Sequence, residues 1–369
     1  MELMQPLPWQ AALWQQVIAL RARQPHALLL HGGRGIGKRH FAQALAQALL
    51  CETPDAERVG NQGLACGRCT GCQLLAADNH PDLRWLVPDI DRRQRSDDAD
   101  DAAEADEPQE LVAEPAGKGA KLSREIRIDQ VRAIGEFLAV AAHRGRNRVV
   151  LLAPAEALNA AAANAVLKIL EEPPGGALFI AVTDELDAVL PTVRSRCVLL
   201  CAPMPDARAA LAWLRERDVP DAEERLAEAG GAPLDLMAED DGGEPDPRRL
   251  APELRGKLLE LLARGTRLSL ADIASAVPRE LPVAAAIRLF QRWGWDLLAE
   301  RTAGRLRYYP RQQRAIAAIA RAAQLQPLLD WLDQLARAQR SSGHPLNARL
   351  VIENALIGYL AALRAGSTK

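Results

Sequence analysis

The sequence predicts an α/β domain built on a parallel sheet, followed by an all-α region, and three observations carry that prediction. Through the first 200 residues, short apolar runs alternate with stretches rich in alanine and leucine, the pattern of strands covered by helices. From about Arg249 to the end the apolar periodicity is helical throughout, as at Leu258, Leu261 and Leu262 and again at Ile287, Leu289 and Phe290. Between the two lies Asp240 to Pro247 (DDGGEPDP), whose Asp, Gly and Pro content reads as a linker. A length of 369 residues with 49% hydrophobic and 25% charged side chains suits two or three packed domains. The near balance of 46 basic and 48 acidic residues argues against a histone-like coat on nucleic acid. The N-terminal MELMQPLPWQ lacks a basic segment leading into an apolar run, and no 18-residue stretch is apolar enough to span a bilayer. A cytoplasmic protein with no membrane contact is expected.

Five strands are predicted: Ala27 to His31, Leu83 to Val87, Arg148 to Leu152, Leu178 to Val182 and Cys197 to Cys201. Each is short and mostly apolar, as a strand covered on both faces should be. The clearest helix runs from Ala157 to Leu170, with Leu158, Ala162, Ala165 and Ile169 on one face, until Pro173 and Pro174 forbid its continuation. An insertion at about 92–120 interrupts the α/β pattern. Its residues 97–114 hold nine carboxylates and no basic side chain, a composition that favours a solvated, disordered loop over an acidic docking tail. After Cys201, APMPDARAAL opens a helical stretch broken at Gly230-Gly231-Ala232-Pro233, which fits a small lid. The expected domains are therefore 1–203, 204–245 and 246–369.

HGGRGIGKRH lies between the first strand and a helix, and Gly32, Gly37 and Lys38 satisfy the G-x-x-x-x-G-K of a phosphate loop. In such a loop, backbone N–H groups and the positive end of the helix face phosphate oxygens, and the lysine reaches the terminal phosphates. The next position needs a hydroxyl for magnesium, and here it is Arg39. The strand RVVLLAPAEAL ends in Ala153 and Pro154, where an active site of this kind carries carboxylates, with Glu156 two positions beyond. Two independent parts of the metal-dependent machinery are missing, so no intrinsic ATPase is expected. Lys38 leaves weak ATP or ADP binding open beside the alternative of a plain strand–helix connector.

Cys51, Cys66, Cys69 and Cys72 give C-x14-C-x2-C-x2-C. Four thiolates can surround Zn2+ tetrahedrally and leave no position for water, the arrangement of a structural rather than a catalytic site. The knuckle is expected over 51–72, with Gly67 and Gly71 permitting its tight turns. Buried free cysteines, or three ligands without the more distant Cys51, are the alternatives. Nearer the end of the α/β region, LPTVRSRC sets Arg194 and Arg196 just before the last strand, on an edge that faces outward. An arginine there can reach a neighbour's nucleotide site, or simply be a solvated surface residue.

The four-cysteine insertion, NHPDLRWL, IRIDQVRAI, AAANAVLKILEEPP and TVRSRC occur in that order. Together they resemble the bacterial DNA polymerase III clamp-loader subunits of the AAA+ class, closely over residues 1–203 and in architecture beyond. The resemblance implies an AAA+ P-loop sheet with a zinc knuckle, a helical lid and a C-terminal collar domain in a hetero-pentamer with gamma/tau and delta subunits. It also implies a complex that opens the sliding clamp and loads it on primed DNA during replication. Arg39, Ala153, Pro154 and Pro233, the last where active relatives carry a nucleotide-sensing arginine, look like the branch that has lost its own ATPase. By the same resemblance Ser195-Arg196-Cys197 is the family's SRC motif, with Arg196 acting in trans as an arginine finger on an adjacent ATPase subunit. Two other readings compete: an ATP-hydrolysing gamma/tau-type subunit, and a zinc-dependent DNA-binding module. Residues 301–321, with six arginines and no acidic residue, allow either DNA contact or a solvated or subunit-facing helix.

Overall fold

The structure, a computed structural model, describes residues 3–91, 123–140, 142, 147–240, 250–278, 281–341 and 347–364. The acidic insertion, residues 97–114, and all of the predicted linker after Asp240 lie outside the described residues. The described residues form two compact units, Met1–Ala210 and Leu211–Lys369.

In the first unit five strands, β1 (Ala27–His31), β2 (Leu83–Leu86), β3 (Arg148–Leu152), β4 (Ala177–Thr183) and β5 (Val198–Cys201), pair in the order β2-β3-β4-β1-β5. Every pairing is parallel. β3 and β4 are buried at every position, so their unbroken apolar runs are what two covered faces require. Helices α1 (Ala11–Leu20), α2 (Lys38–Leu50) and α3 (Thr70–Ala76) precede β2 in the chain, and α4 (Ile128–Ala139) and α5 (Ala160–Glu171) flank β3. The two sheet faces bury separate cores, one around Trp14, Phe41, Leu45 and Ile180, the other around Ile134, Val150, Val166 and Phe179.

Two expectations are corrected here. β5 is not covered on both faces. It is an edge strand, as β2 is on the opposite side of the sheet, and Val198, Leu199 and Cys201 are exposed while only Leu200 is buried. Helix α5 also starts at Ala160 rather than at the predicted Ala157. Asn159 caps the helix by accepting from the Ala162 N–H at 2.9 Å, and Ala162, Ala163, Val166 and Leu170 are buried. Ala165 and Ile169 instead border a cleft of about 370 Å3 against α4, lined also by Val131 and Gly135.

The second unit is helical: α7 (Ala207–Arg215) runs into it, and α8 (Ala222–Glu228), α9 (Leu234–Asp240), α10 (Pro252–Ala263), α11 (Leu270–Ala276), α12 (Val283–Ala303), α13 (Gln313–Ala322), α14 (Leu325–Ser341) and α15 (Ala348–Arg364) follow; the short turn α6 (Pro191–Arg194) precedes β5 in the first unit. Trp293, Trp331 and Tyr359 form the centre of its core, and their polar ends are satisfied: Trp293 Nε1 donates to Tyr359 Oη, which donates to the Leu262 carbonyl. The helices after residue 211 are tied to those beyond the linker. Arg292 donates to the carbonyls of Glu228 and Ala229, and Arg311 pairs with Asp221 and Glu224. Arg301 donates to the Ala320 carbonyl at 3.0 Å, so at least two of the six arginines in 301–321 serve contacts within the unit.

Candidate functional site

The phosphate-loop sequence lies between the C-terminal end of β1 and the start of α2. Gly32 has φ +149°, and a Cβ there would stand 2.8 Å from the Ala202 carbonyl oxygen, so the loop passes the β5 extension too closely for any side chain. The far side of the loop is held by the N-terminal segment. Trp9 Nε1 donates to the Ile36 carbonyl at 2.9 Å, and the buried Gln10 amide donates to the carbonyls of Ile36 and Gly37.

The ammonium of Lys38 does not project toward solvent. Its side chain is 3% exposed, and Nζ donates to the Gly32 carbonyl at 2.9 Å and the Gly33 carbonyl at 2.5 Å while lying 2.5 Å from Asp184 Oδ1. Sheet register explains the carboxylate: His31 of β1 pairs with Thr183 of β4, so the residue after Thr183 arrives beside the residue after His31. Arg39, at the position that would hold magnesium's hydroxyl ligand, sits 3.6 Å from the buried Asp91 Oδ2, with its guanidinium 6.0 Å from the Trp85 ring centre.

At the end of β3, Ala153 and Ala155 are buried and supply no polar group. Glu156 turns toward the same region, where its Oε1 accepts from the Asp184 N–H at 3.1 Å. Burial pushes its carboxyl above the usual range and the nearby Asp184 charge adds to that, while hydrogen bonds from Thr183 and the backbone oppose it. The loop thus holds Lys38 between its own carbonyls and Asp184, with a second, reluctantly ionised carboxyl at Glu156.

The four cysteines of the knuckle come together from the end of α2, the following loop and the start of α3. Their Sγ atoms all lie within 4.8 Å of one another, with Cys51 to Cys69 at 3.9 Å and Cys66 to Cys72 at 3.8 Å. A tetrahedron of thiolates about 2.3 Å from a central zinc has edges of about 3.8 Å. Backbone N–H groups of Cys66, Cys69 and Cys72 point at the Sγ of Cys51, Cys66 and Cys69, each at 3.4 Å, which favours thiolate over thiol. Burial would raise the Cys66 thiol, but hydrogen bonds from Thr53, from the backbone of Arg68 and Cys69 and from Cys51 bring it down to about 5. Burial, with Cys69 and Cys51 adding to it, pushes the Cys72 thiol up. Gly67 takes φ +76°, and a Cβ on Gly71 would stand 2.8 Å from the Leu50 carbonyl oxygen, so both turns require glycine. The donor set fits a four-coordinate metal ion, and Cys51, across its longer loop, is among the four.

Ser195, Arg196 and Cys197 follow α6 at the foot of the edge strand β5. Arg196 is 34% exposed and pairs with Glu171 at the end of α5. Arg194 donates to the Leu186 carbonyl and to Asp187. Cys197 is partly buried, which pushes its thiol up to about 11. Sequence reasoning missed Asp184, Asp91 and Glu171, the carboxylates that receive Lys38, Arg39 and Arg196. None stands in a motif with its partner, and only sheet register and helix packing bring each pair together. Among the described residues, no helix is long and apolar enough to cross a membrane.

Five parallel strands, a phosphate loop after β1 and a four-cysteine knuckle after α2 define an AAA+ fold of the clamp-loader type. Comparison with known proteins sharpens this. Residues 10–204 match the family described as DNA polymerase III, delta subunit. A DNA polymerase III subunit delta' of Pseudomonas aeruginosa is 42% identical over 232 residues, 62% of this chain and 59% of that relative. Another, from Yersinia pestis, is 31% identical over 381 aligned positions, 98% of this chain and 97% of the relative. The chain belongs to the DNA polymerase III delta' family. The Pseudomonas match spans less than two thirds of that protein's length, whereas the Yersinia match spans nearly all of it. A DNA polymerase III gamma subunit-related protein of Thermotoga maritima covers 95% of this chain and 100% of its own at 18% identity, with a TM-score of 0.45, too distant a likeness to add to the argument.

Proposed function

We propose that this chain is a clamp-loader subunit without ATPase activity of its own, which works through a neighbouring subunit's nucleotide site. The observation that carries the reading is the commitment of Lys38. Its ammonium is held by two carbonyls of its own loop and by Asp184, so a phosphate would have to displace three acceptors before reaching it. Arg39 in place of the magnesium hydroxyl, and Ala153 and Pro154 in place of the strand-end carboxylates, remove the groups that hold the metal and orient water. Gly32, Gly37 and Lys38 are then a structural strand–helix junction, and ATP or ADP is not a working cofactor.

Family membership and the position of Ser195-Arg196-Cys197 beside an edge strand support Arg196 as an arginine finger for an adjacent gamma/tau subunit. The same reading divides the chain into the AAA+ module 1–203, a lid 204–245 and a collar domain 246–369 that joins the gamma/tau and delta subunits. The assembly opens the sliding clamp and places it on primed DNA, in the cytoplasm. Cys51, Cys66, Cys69 and Cys72 hold one structural Zn2+, a reading supported by the 3.8 and 3.9 Å sulfur separations.

The test is reconstitution with gamma-type and delta subunits. The purified chain alone should show no ATP turnover that Lys38→Ala abolishes, whereas Arg196→Ala should depress the clamp- and DNA-stimulated ATPase of the complex. An unchanged complex would refute the trans role, and Lys38-dependent turnover by the chain alone would make it an ATPase.

A further inference from the structure

Arg196 is already oriented by its own chain. Nη2 donates to Glu171 Oε1 at 2.5 Å, and Nη1 donates to the Thr192 carbonyl at 2.9 Å and to Ser195 Oγ at 3.4 Å. Glu171 is the last residue of α5, and Thr192 lies in α6, so the guanidinium bridges two elements rather than resting on its own turn. A guanidinium has five N–H donors in a rigid fork. These contacts use both hydrogens of Nη1 and one of Nη2, which leaves Nε–H and the second Nη2 hydrogen unclaimed among the described residues.

Both partners are partly exposed, Arg196 at 34% and Glu171 at 50%, so the pair adds little to stability. Its value lies in direction. An arginine that approaches a phosphoryl group from a flexible stem gives up rotamer freedom on arrival. One already fixed by a carboxylate and a carbonyl has lost that freedom beforehand and still presents two donors. Arg194, two residues earlier, is anchored differently, on the Leu186 carbonyl and the fully exposed Asp187.

We propose that Glu171 is the positioning residue for Arg196: it holds the guanidinium in the orientation in which the remaining donors meet the neighbour's nucleotide. This inference rests on the trans-finger reading. The test is a double-mutant cycle in the reconstituted complex of full chains. Glu171→Ala should lower kcat of the stimulated ATPase roughly tenfold with KM for ATP unchanged, because the finger acts on transition-state charge. It should cause no further loss in the Arg196→Ala background, leave the melting temperature of the chain unchanged, and be partly rescued by Glu171→Asp. If Arg196→Ala is damaging and Glu171→Ala is silent, the positioning role fails while the finger stands. A rise in turnover with Glu171→Ala would make the carboxylate a restraint, and an additive loss accompanied by a lowered melting temperature would make it merely structural; either overturns the proposal. If Arg196→Ala itself changes nothing, the finger reading fails and this inference falls with it.

Discussion

Replacing Lys38 with methionine separates a structural lysine from a phosphate-binding one. The stem is buried and methionine fills nearly the same space, so the substitution removes the charge and three contacts and little else. Two hydrogen bonds from an ammonium to carbonyls contribute about 1.5–3 kcal/mol each. The ion pair adds about 1 kcal/mol or less, because Asp184 is 39% exposed and water screens it. The buried methionine gives up about as much side-chain entropy as the lysine, so that contribution cancels. The net loss is at least about 3 kcal/mol, which for a unit of this size lowers the melting temperature by about 6–12 °C or more. Thermal unfolding of the full chain, followed by circular dichroism with and without ATP, measures it. The expected result is a marked fall for Lys38→Met and no ATP-dependent shift for the unmodified protein. If ATP at about one hundred times its Kd stabilised the unmodified chain by about 2.7 kcal/mol, and Lys38→Met abolished that shift without lowering the basal melting temperature, the amine would be free for phosphate and the reasoning refuted.

Other consequences can be checked on the same protein. Glu156 has a raised carboxyl, so its contribution to stability is present below the unfolded carboxylate value and lost as pH rises through the folded one. Glu156→Gln should therefore flatten that decline and leave the chain at least as stable at neutral pH; an unchanged pH profile of unfolding would count against the buried carboxyl. Elemental analysis should find one zinc per chain, and Cys72→Ala, which removes one corner of the sulfur tetrahedron, should abolish it and lower the stability of the α2–α3 region to proteolysis. Retention of a full equivalent would refute the four-ligand site. Gly32→Ala forces a Cβ to within 2.8 Å of the Ala202 carbonyl at φ +149°, and should cost about 1–3 kcal/mol in urea unfolding. An unaltered midpoint would mean that the loop and the β5 extension are not in close approach.

Much of the framework is local and therefore legible. All five strands lie within a residue of their predicted limits at each end, because each is a short, mostly apolar run and the connecting chain supplies the turns. The cysteine quartet was legible for the same reason: its spacing is a local property, and only the closure of Cys51 onto the other three depended on folding. The start of α5 was not legible from the apolar spacing, since the Asn159 cap that sets it lies inside the predicted helix Ala157 to Leu170.

What the sequence determined by itself was the α/β order, the phosphate-loop position, the presence of Arg39, Ala153 and Pro154 after that loop's lysine and at the end of β3, and the cysteine set, all of which are properties of residue type at short spacing. The tertiary structure alone decided where the charges went. Lys38 meets Asp184 because β1 and β4 pair with His31 opposite Thr183, and Arg196 meets Glu171 because α5 ends where the turn before β5 passes. Such pairings depend on register and packing between distant segments, and no periodicity or motif along the chain encodes them locally.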